Sequence, residues 1–151
     1  MTDGVSQALQ AYADRGVFRG FRALPVARGR IEYQFLWLTK KPVTALFDPS
    51  TRRLTFPALL PQLDRNAALR MQAVVEARTA KSQPAHKRID ARKGRITGAR
   101  RAGNFSLMVE IRGSNHDYAV SKALNVINEL FVTLQEHHPE YLIERFGFST
   151  E

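Results

Sequence analysis

The chain has 151 residues, 44% of them hydrophobic, and a formal net charge of +9; this size and composition suit one globular domain with a real core. It contains no cysteine, which excludes disulfide bonds, thiolate catalysis and cysteine-ligated zinc. No apolar run reaches the roughly 18 residues that a membrane span needs, so no membrane contact is expected. The first 20 residues contain Asp3 and Asp14 and no apolar block, which argues against a signal peptide and makes a cytoplasmic location the default expectation.

The N-terminal region has the pattern of a short helix followed by a strand. Apolar residues at helical spacing predict an amphipathic helix near residues 4–15, and Gly16 stands where this helix would end. A strand is expected at residues 21–27. Because Pro25 cannot donate a backbone hydrogen bond, that strand is expected at a sheet edge or beside a bulge.

Residues 31–37 give the clearest strand pattern of the first half, because β-branched and aromatic residues recur there at period two. The side chains that share one face of this strand are Ile31, Tyr33, Phe35 and Trp37. Such an aromatic ladder could stack unpaired nucleic-acid bases, as four-stranded RNA-binding sheets do. Core packing is the more common fate of aromatics at strand spacing. Both interpretations stay open at this point.

A hairpin and a helix follow. Two strands, at 43–47 and 53–56, flank Asp48-Pro49-Ser50-Thr51, and Asp followed by Pro suits the first positions of a type I turn. Asp64 is a good N-cap for a helix near 65–79. The first half of the chain therefore predicts a hairpin that leads into an amphipathic helix.

The second half predicts another hairpin, formed by strands at 96–99 and 105–111 around the turn Arg101–Asn104. A long helix is expected at about 117–137, with Ser114 or Asn115 as its cap. Its apolar stripe consists of Val120, Leu124, Ile127, Leu130, Phe131 and Leu134. We interpret this stripe as a core contact with the sheet, with a dimer seam as the alternative.

A short final helical turn is expected at Glu140–Arg145, because Pro139 can begin it and Gly147 can close it. Together the elements predict an α+β fold in a single domain. Its order is α-β-β-β-β-α-β-β-α, with about five to six strands in two hairpin-rich halves. Tight turns between consecutive strands imply an antiparallel sheet, with the helices packed on one face.

This order resembles the class I chaperones of type III secretion. The resemblance lies in Leu54-Thr55-Phe56 running into the 65–79 helix, then the 96–111 hairpin, then the 117–137 helix. It implies a homodimeric, non-catalytic protein that binds an extended segment of another polypeptide.

The positive charge is concentrated between Arg78 and Arg101. These 24 residues hold nine Lys/Arg and one acid, Asp90, whereas the other 127 residues hold 14 basic and 13 acidic side chains. Ile89 is the only large apolar residue before Arg95, so a flexible basic loop is expected at about 80–94. Dense charge on such a loop favours a polyanion, since phosphate contacts need little preset geometry. The candidate polyanion-binding residues are Lys87, Arg88, Arg92, Lys93, Arg95, Arg100 and Arg101.

No catalytic, metal or cofactor constellation emerges from the sequence. The four histidines, His86, His116, His137 and His138, have no metal-ligand spacing such as HExxH. His116-Asp117 could orient an imidazole, but helix capping explains Ser114, Asn115 and Asp117 without catalysis. Neither Ser106 nor Ser114 lies in a nucleophile turn. The sequence therefore predicts a non-enzymatic binding protein without a cofactor or metal. Its expected partner is nucleic acid or another polyanion, the alternative is a polypeptide partner, and a merely solvated basic loop is the third interpretation.

Overall fold

A computed structural model describes residues 4–38, 41–78 and 88–147. The predicted α+β class and the predicted order of elements are confirmed, with a fourth helix where the sequence predicts a final turn. The elements are α1 (Gly4–Asp14), β1 (Arg19–Pro25), β2 (Ile31–Leu36), β3 (Pro42–Asp48), β4 (Arg53–Leu60), α2 (Arg65–Ala77), β5 (Gly94–Arg101), β6 (Asn104–Ile111), α3 (His116–His137) and α4 (Pro139–Phe146). None of these described helices is both long and apolar enough to cross a bilayer.

The strands form one antiparallel sheet in the order β1-β2-β3-β4-β6-β5, so β1 and β5 are its edges. Both predicted hairpins are present. Between β3 and β4, the Asp48 carboxylate accepts hydrogen bonds from the backbone and the hydroxyl of Ser50, at 3.0 and 2.7 Å. Between β5 and β6, Ala102 and Gly103 both have positive φ, 52° and 82°, which suits a two-residue hairpin turn.

The core lies between the sheet and helix α3. The inward side chains of β6 are Phe105, Leu107, Val109 and Ile111, and all are buried. All members of the predicted α3 stripe are at most 6% exposed, and α3 contacts β5, β6 and the three other helices. The stripe is therefore a core contact within the domain, as predicted, and not a dimer seam.

The aromatic ladder of β2 also belongs to the core. Tyr33 and Phe35 are 0% and 1% exposed. The Tyr33 hydroxyl shares a 2.6 Å hydrogen bond with Ser6 of α1, and the Phe35 ring stacks on Phe18 with centroids 4.1 Å apart. Trp37 is half-buried and meets Phe18 edge-on. Tyr33 and Phe35 are thus covered and cannot stack on a nucleic-acid base in this fold.

Two local predictions need correction. The strand expected at 21–27 runs instead from Arg19 to Pro25, and a 3₁₀ turn follows at Ala27–Gly29. Asn115 occupies the N-cap position of α3, but its side chain does not cap the helix. Its amide donates to the Arg112 carbonyl at 2.7 Å, because the backbone of Asn115 (φ −86°, ψ 44°) is not in the extended conformation that aims a cap at the first helical N–H groups.

Asp64 caps α2 as predicted, since its carboxylate accepts a 2.9 Å hydrogen bond from the Ala67 N–H. Replacing Asp64 by alanine is expected to lower the free energy of unfolding by about 1 kcal/mol, because a first-turn N–H loses its acceptor. The control Asp64→Asn keeps an acceptor and should lose much less. Urea denaturation of both variants checks this, and equal losses would contradict the capping role.

Candidate functional site

Six of the seven candidate polyanion-binding residues lie in the described chain, and Lys87 lies outside it. Most of the loop expected at 80–94 also lies outside the described residues. Its last part, from Arg88 onward, is fixed to the body of the protein: Ile89 is 5% exposed and its N–H donates to the Arg78 carbonyl at 2.8 Å. The Asp90 N–H donates to the hydroxyl of Tyr118 on α3 at 2.7 Å. The basic segment therefore returns to the core before β5 begins.

Arg78, the first cation of the basic segment, has a structural role. Its guanidinium Nε donates to the Glu129 carboxylate at 2.6 Å, which ties the end of α2 to the middle of α3. The Arg78 side chain is only 17% exposed. Charge-assisted hydrogen bonds of this kind are stronger than neutral ones, so we assign Arg78 to helix packing rather than to ligand binding.

Two of the candidate residues are engaged within the protein. Arg92 donates from Nε and Nη2 to the two carboxylate oxygens of Asp90, both at 3.2 Å. These bonds hold the pKa of Asp90 below its ordinary value, so the carboxylate stays ionised at neutral pH and offsets the charge of Arg92. Arg100 donates from Nε to the Leu63 carbonyl at 2.7 Å. Neighbouring strand residues point to opposite faces, so Arg100 turns toward the helices while Arg101 turns away from them.

The remaining described candidates form what we call the β5 cation row: Arg88, Lys93, Arg95 and Arg101. None of the four makes an ion pair with a carboxylate in the described chain. The ammonium of Lys93 lies 4.9 Å from the centroid of the Tyr118 ring. Arg95 and Arg101 share the sheet face opposite the helices, and six strand residues separate them by about 20 Å. The row thus places several cations along one edge of the sheet.

The backbone of β5 offers unused hydrogen-bonding groups at the same edge. A two-residue turn makes Arg101 and Asn104 a hydrogen-bonded pair, so the N–H and C=O groups of alternate β5 residues point away from β6. These residues are Ile96, Gly98 and Arg100. In the described chain, β6 is the only strand that pairs with β5. Positive side chains on an edge strand also discourage its pairing with a strand of another copy. Protection of the edge is therefore the alternative to a ligand-binding role for these cations.

A second basic cluster, which the predicted binding residues do not include, lies in the N-terminal part of the chain. Residues 15–30 contain five arginines and no acid, a signal that a charge count in short windows would have found. The structure places this cluster at the opposite edge of the sheet, on and around β1. Its members, the β1 arginine set, are Arg15, Arg19, Arg22, Arg28 and Arg30. The positive charge is therefore not confined to the 78–101 segment, and both sheet edges carry it.

The residues weighed for catalysis or metal binding have structural surroundings. The Ser106 hydroxyl accepts a 3.0 Å hydrogen bond from the Ala58 N–H, and the His116 ring packs directly on Gly4. His137 lies 4.0 Å from the Glu136 carboxylate, and His86 lies outside the described residues. Within residues 4–38, 41–78 and 88–147, no three acidic or histidine side chains meet as metal ligands.

The β5 edge can therefore supply positive charge and strand hydrogen bonds to a partner. Arg95 and Arg101 stand on β5 itself, so the spacing between these two cations is fixed by the strand. No protein-family model, curated protein or solved structure matched the chain.

Proposed function

We propose that this protein is a non-enzymatic binding protein that docks a polyanion, such as nucleic acid, along the β5 edge. The β5 cation row supports the proposal, because its four cations have no carboxylate partner in the described chain. Arg95 and Arg101 lie on the edge strand β5, and Arg88 and Lys93 lie in the segment that leads into it. Such a row suits a phosphate backbone, whose recognition depends on charge density. Sequence preference should be weak, since contacts to the phosphate backbone carry no sequence information.

The length of the row sets the number of phosphates that it can meet. Arg95 and Arg101 are about 20 Å apart along the strand, and phosphates on one strand of duplex DNA repeat about every 3.4 Å along the helix axis. The stretch from Arg95 to Arg101 therefore spans roughly six phosphates. With four cations in the row, we expect contacts with three or four phosphates.

The test is the salt dependence of binding to a labelled DNA duplex. Each phosphate contact contributes about 0.9 to the slope of log affinity against log salt. Replacing Arg88, Lys93, Arg95 and Arg101 together by alanine should therefore flatten the slope by about three to four units. Thermal stability should change little, because Lys93, Arg95 and Arg101 are exposed and Arg88 is half-buried, and surface charges contribute little to folding.

The β1 arginine set provides a matched control. Replacing Arg19, Arg22, Arg28 and Arg30 by alanine removes the same charge from the opposite sheet edge, and the slope should stay within about one unit of wild type. Equal flattening by both variants would show that binding follows net charge and not the β5 edge. Negligible binding of the wild type at low salt would reject the polyanion function.

A polypeptide partner is the second candidate, and the unpaired backbone groups of Ile96, Gly98 and Arg100 favour it. An extended acidic segment could add to β5 as another strand, with its acids facing the β5 cation row. A second copy of the chain is disfavoured at this edge, since pairing β5 with β5 would bring like charges together. Amide hydrogen exchange separates the candidates: an acidic peptide should protect the amides of Ile96 and Gly98, whereas DNA held by side chains should leave their exchange unchanged.

A further inference from the structure

The turn between β5 and β6 is fastened to the segment that leads into α2. The Leu63 N–H donates to the Gly103 carbonyl at 2.8 Å, and the Gln62 N–H donates to the side-chain oxygen of Asn104 at 2.9 Å. Arg100 completes the contact by donating from Nε to the Leu63 carbonyl at 2.7 Å. The end of the hairpin is therefore held against the start of α2.

This contact brings two further cations to the end of the β5 cation row. Arg65, the first residue of α2, follows Leu63 by two positions, so their Cα atoms are at most about 7 Å apart. Arg100 reaches the carbonyl of the same Leu63. We call Arg65 and Arg100 the tip cations. They adjoin Arg101, which is the last member of the row along the chain.

The tip cations keep their positive charge available for a ligand. Both are exposed, and neither forms an ion pair with a carboxylate in the part of the chain that the structure describes. The carbonyl that Arg100 binds is neutral, so this bond leaves the charge of Arg100 uncompensated. Asp64 precedes Arg65, but its carboxylate is turned to the Ala67 N–H, where it offsets the positive end of the helix.

The tip cations lie on the other side of the sheet from the cations of β5. Arg95 and Arg101 point to the face opposite the helices, whereas Arg100 points to the helix side. Arg65 also lies on the helix side, because it belongs to α2, which packs there against β5. A polyanion that contacts both groups must therefore change direction sharply around the β5–β6 turn.

Duplex DNA cannot make this change of direction. Its persistence length is about 50 nm, far longer than the protein domain. The turn cannot enter the major groove either, since α2 alone is about 10 Å across and the groove is about 12 Å wide. The hairpin with α2 packed on it is thicker than the groove. A single strand lacks this stiffness, and its backbone can follow a positively charged surface.

We propose that the nucleic acid bound by the β5 edge is single-stranded. Its backbone runs along the β5 cation row, passes over the β5–β6 turn and ends at the tip cations. This preference rests on the polyanion function proposed above. A single strand gains two phosphate contacts, at Arg65 and Arg100, that a duplex lying along the row does not reach.

Salt titration with labelled oligothymidylate, alone and annealed to its complement, tests the preference. Arg65→Ala combined with Arg100→Gln removes both tip charges, and the glutamine keeps an N–H donor for the Leu63 carbonyl. On a single strand each phosphate contact contributes about 0.7 to the slope of log affinity against log salt. This variant should therefore flatten the single-strand slope by about 1.4 units, while its slope on the duplex should equal that of the wild type.

Arg70→Ala combined with Arg28→Gln is the matched control. It removes the same charge from exposed positions elsewhere on α2 and in the β1 arginine set, and both slopes should stay unchanged. Equal flattening by the two variants, equal flattening on single strand and duplex, or an unchanged single-strand slope of the tip variant would overturn the preference. A wild type that binds the duplex but not the single strand would also overturn it and leave the proposed function standing. Binding to neither would reject both.

Backbone NMR of the wild type gives a second readout that needs no variant. The amide signals of Arg65 and Asn66 should shift when oligothymidylate is added, because the strand reaches the start of α2. They should stay in place when the duplex is added, because the duplex contacts the β5 cation row alone. Signals that respond to both ligands, or to neither, would contradict the path over the turn.

Discussion

Replacing Ile127 by alanine is expected to lower the free energy of unfolding by about 2–5 kcal/mol. Ile127 is 0% exposed at the middle of α3, where this helix packs on β5 and β6. The substitution removes buried methyl groups from contact and leaves a cavity that the rigid sheet can only partly close. The effect should therefore exceed the loss of transfer free energy alone.

Urea denaturation measures this loss, and an unchanged m-value would show that the folded and unfolded states have kept their compactness. Val132→Ala is the matched control, because Val132 lies on the same helix but is 43% exposed. Its effect should stay within about 0.5 kcal/mol. A similarly small effect for Ile127→Ala would mean that the α3 stripe faces a partner or solvent.

The parts of the fold that the sequence predicts well are those with local signals. The stripe of α3, from Val120 to Leu134, repeats over about four turns. Asp48-Pro49 and Ala102-Gly103 mark their turns by residue type alone. The position of a strand in the sheet is less local. The sequence predicts the hairpin of β5 and β6, but which of these two strands pairs with β4 depends on how deeply each is buried. β6 carries four inward apolar residues and becomes central, whereas β5 carries glycines and arginines and becomes an edge.

Gly98 shows how a non-local contact explains a residue that looks unfavourable locally. Glycine weakens a strand, so its presence in β5 has no local reason. In the fold, a Cβ at this position would lie 2.6 Å from the Phe105 ring and 3.2 Å from the Gln72 side chain of α2. The glycine therefore makes room for an aromatic ring of β6 beneath α2.

In the candidate site, too, the sequence predicts the local features but not the contacts between residues that are far apart in the chain. A count of charged residues predicts where the cations concentrate. The pairing of Arg92 with Asp90 is also predictable, because the two residues are only two positions apart in the sequence. The partners of Arg100 and Arg78, the Leu63 carbonyl and Glu129, lie 37 and 51 residues away. Only the fold shows that these two arginines are engaged.

Phe35→Ala is expected to have the largest effect on stability, a loss of about 3–5 kcal/mol. Phe35 is 1% exposed, and its ring stacks on Phe18 and lies near Phe21. Removing the ring takes away both the buried area and these aromatic contacts. Leu24→Ala is the control, because Leu24 is 40% exposed on β1 and its loss should be within about 0.5 kcal/mol.

The same variant separates a core role of the aromatic ladder from a binding role. At a temperature where Phe35→Ala remains folded, its affinity for DNA and the slope of that affinity with salt should equal those of the wild type. The reason is that the ring is 1% exposed beneath Phe18 and Phe21, where no base can reach it, while the β5 cation row lies at the far edge of the sheet. A stable Phe35→Ala variant that bound DNA tenfold more weakly would instead make the ladder a stacking surface. The sheet would then have to open on its helix side, and the polyanion would have to bind at the β1 arginine set rather than at β5.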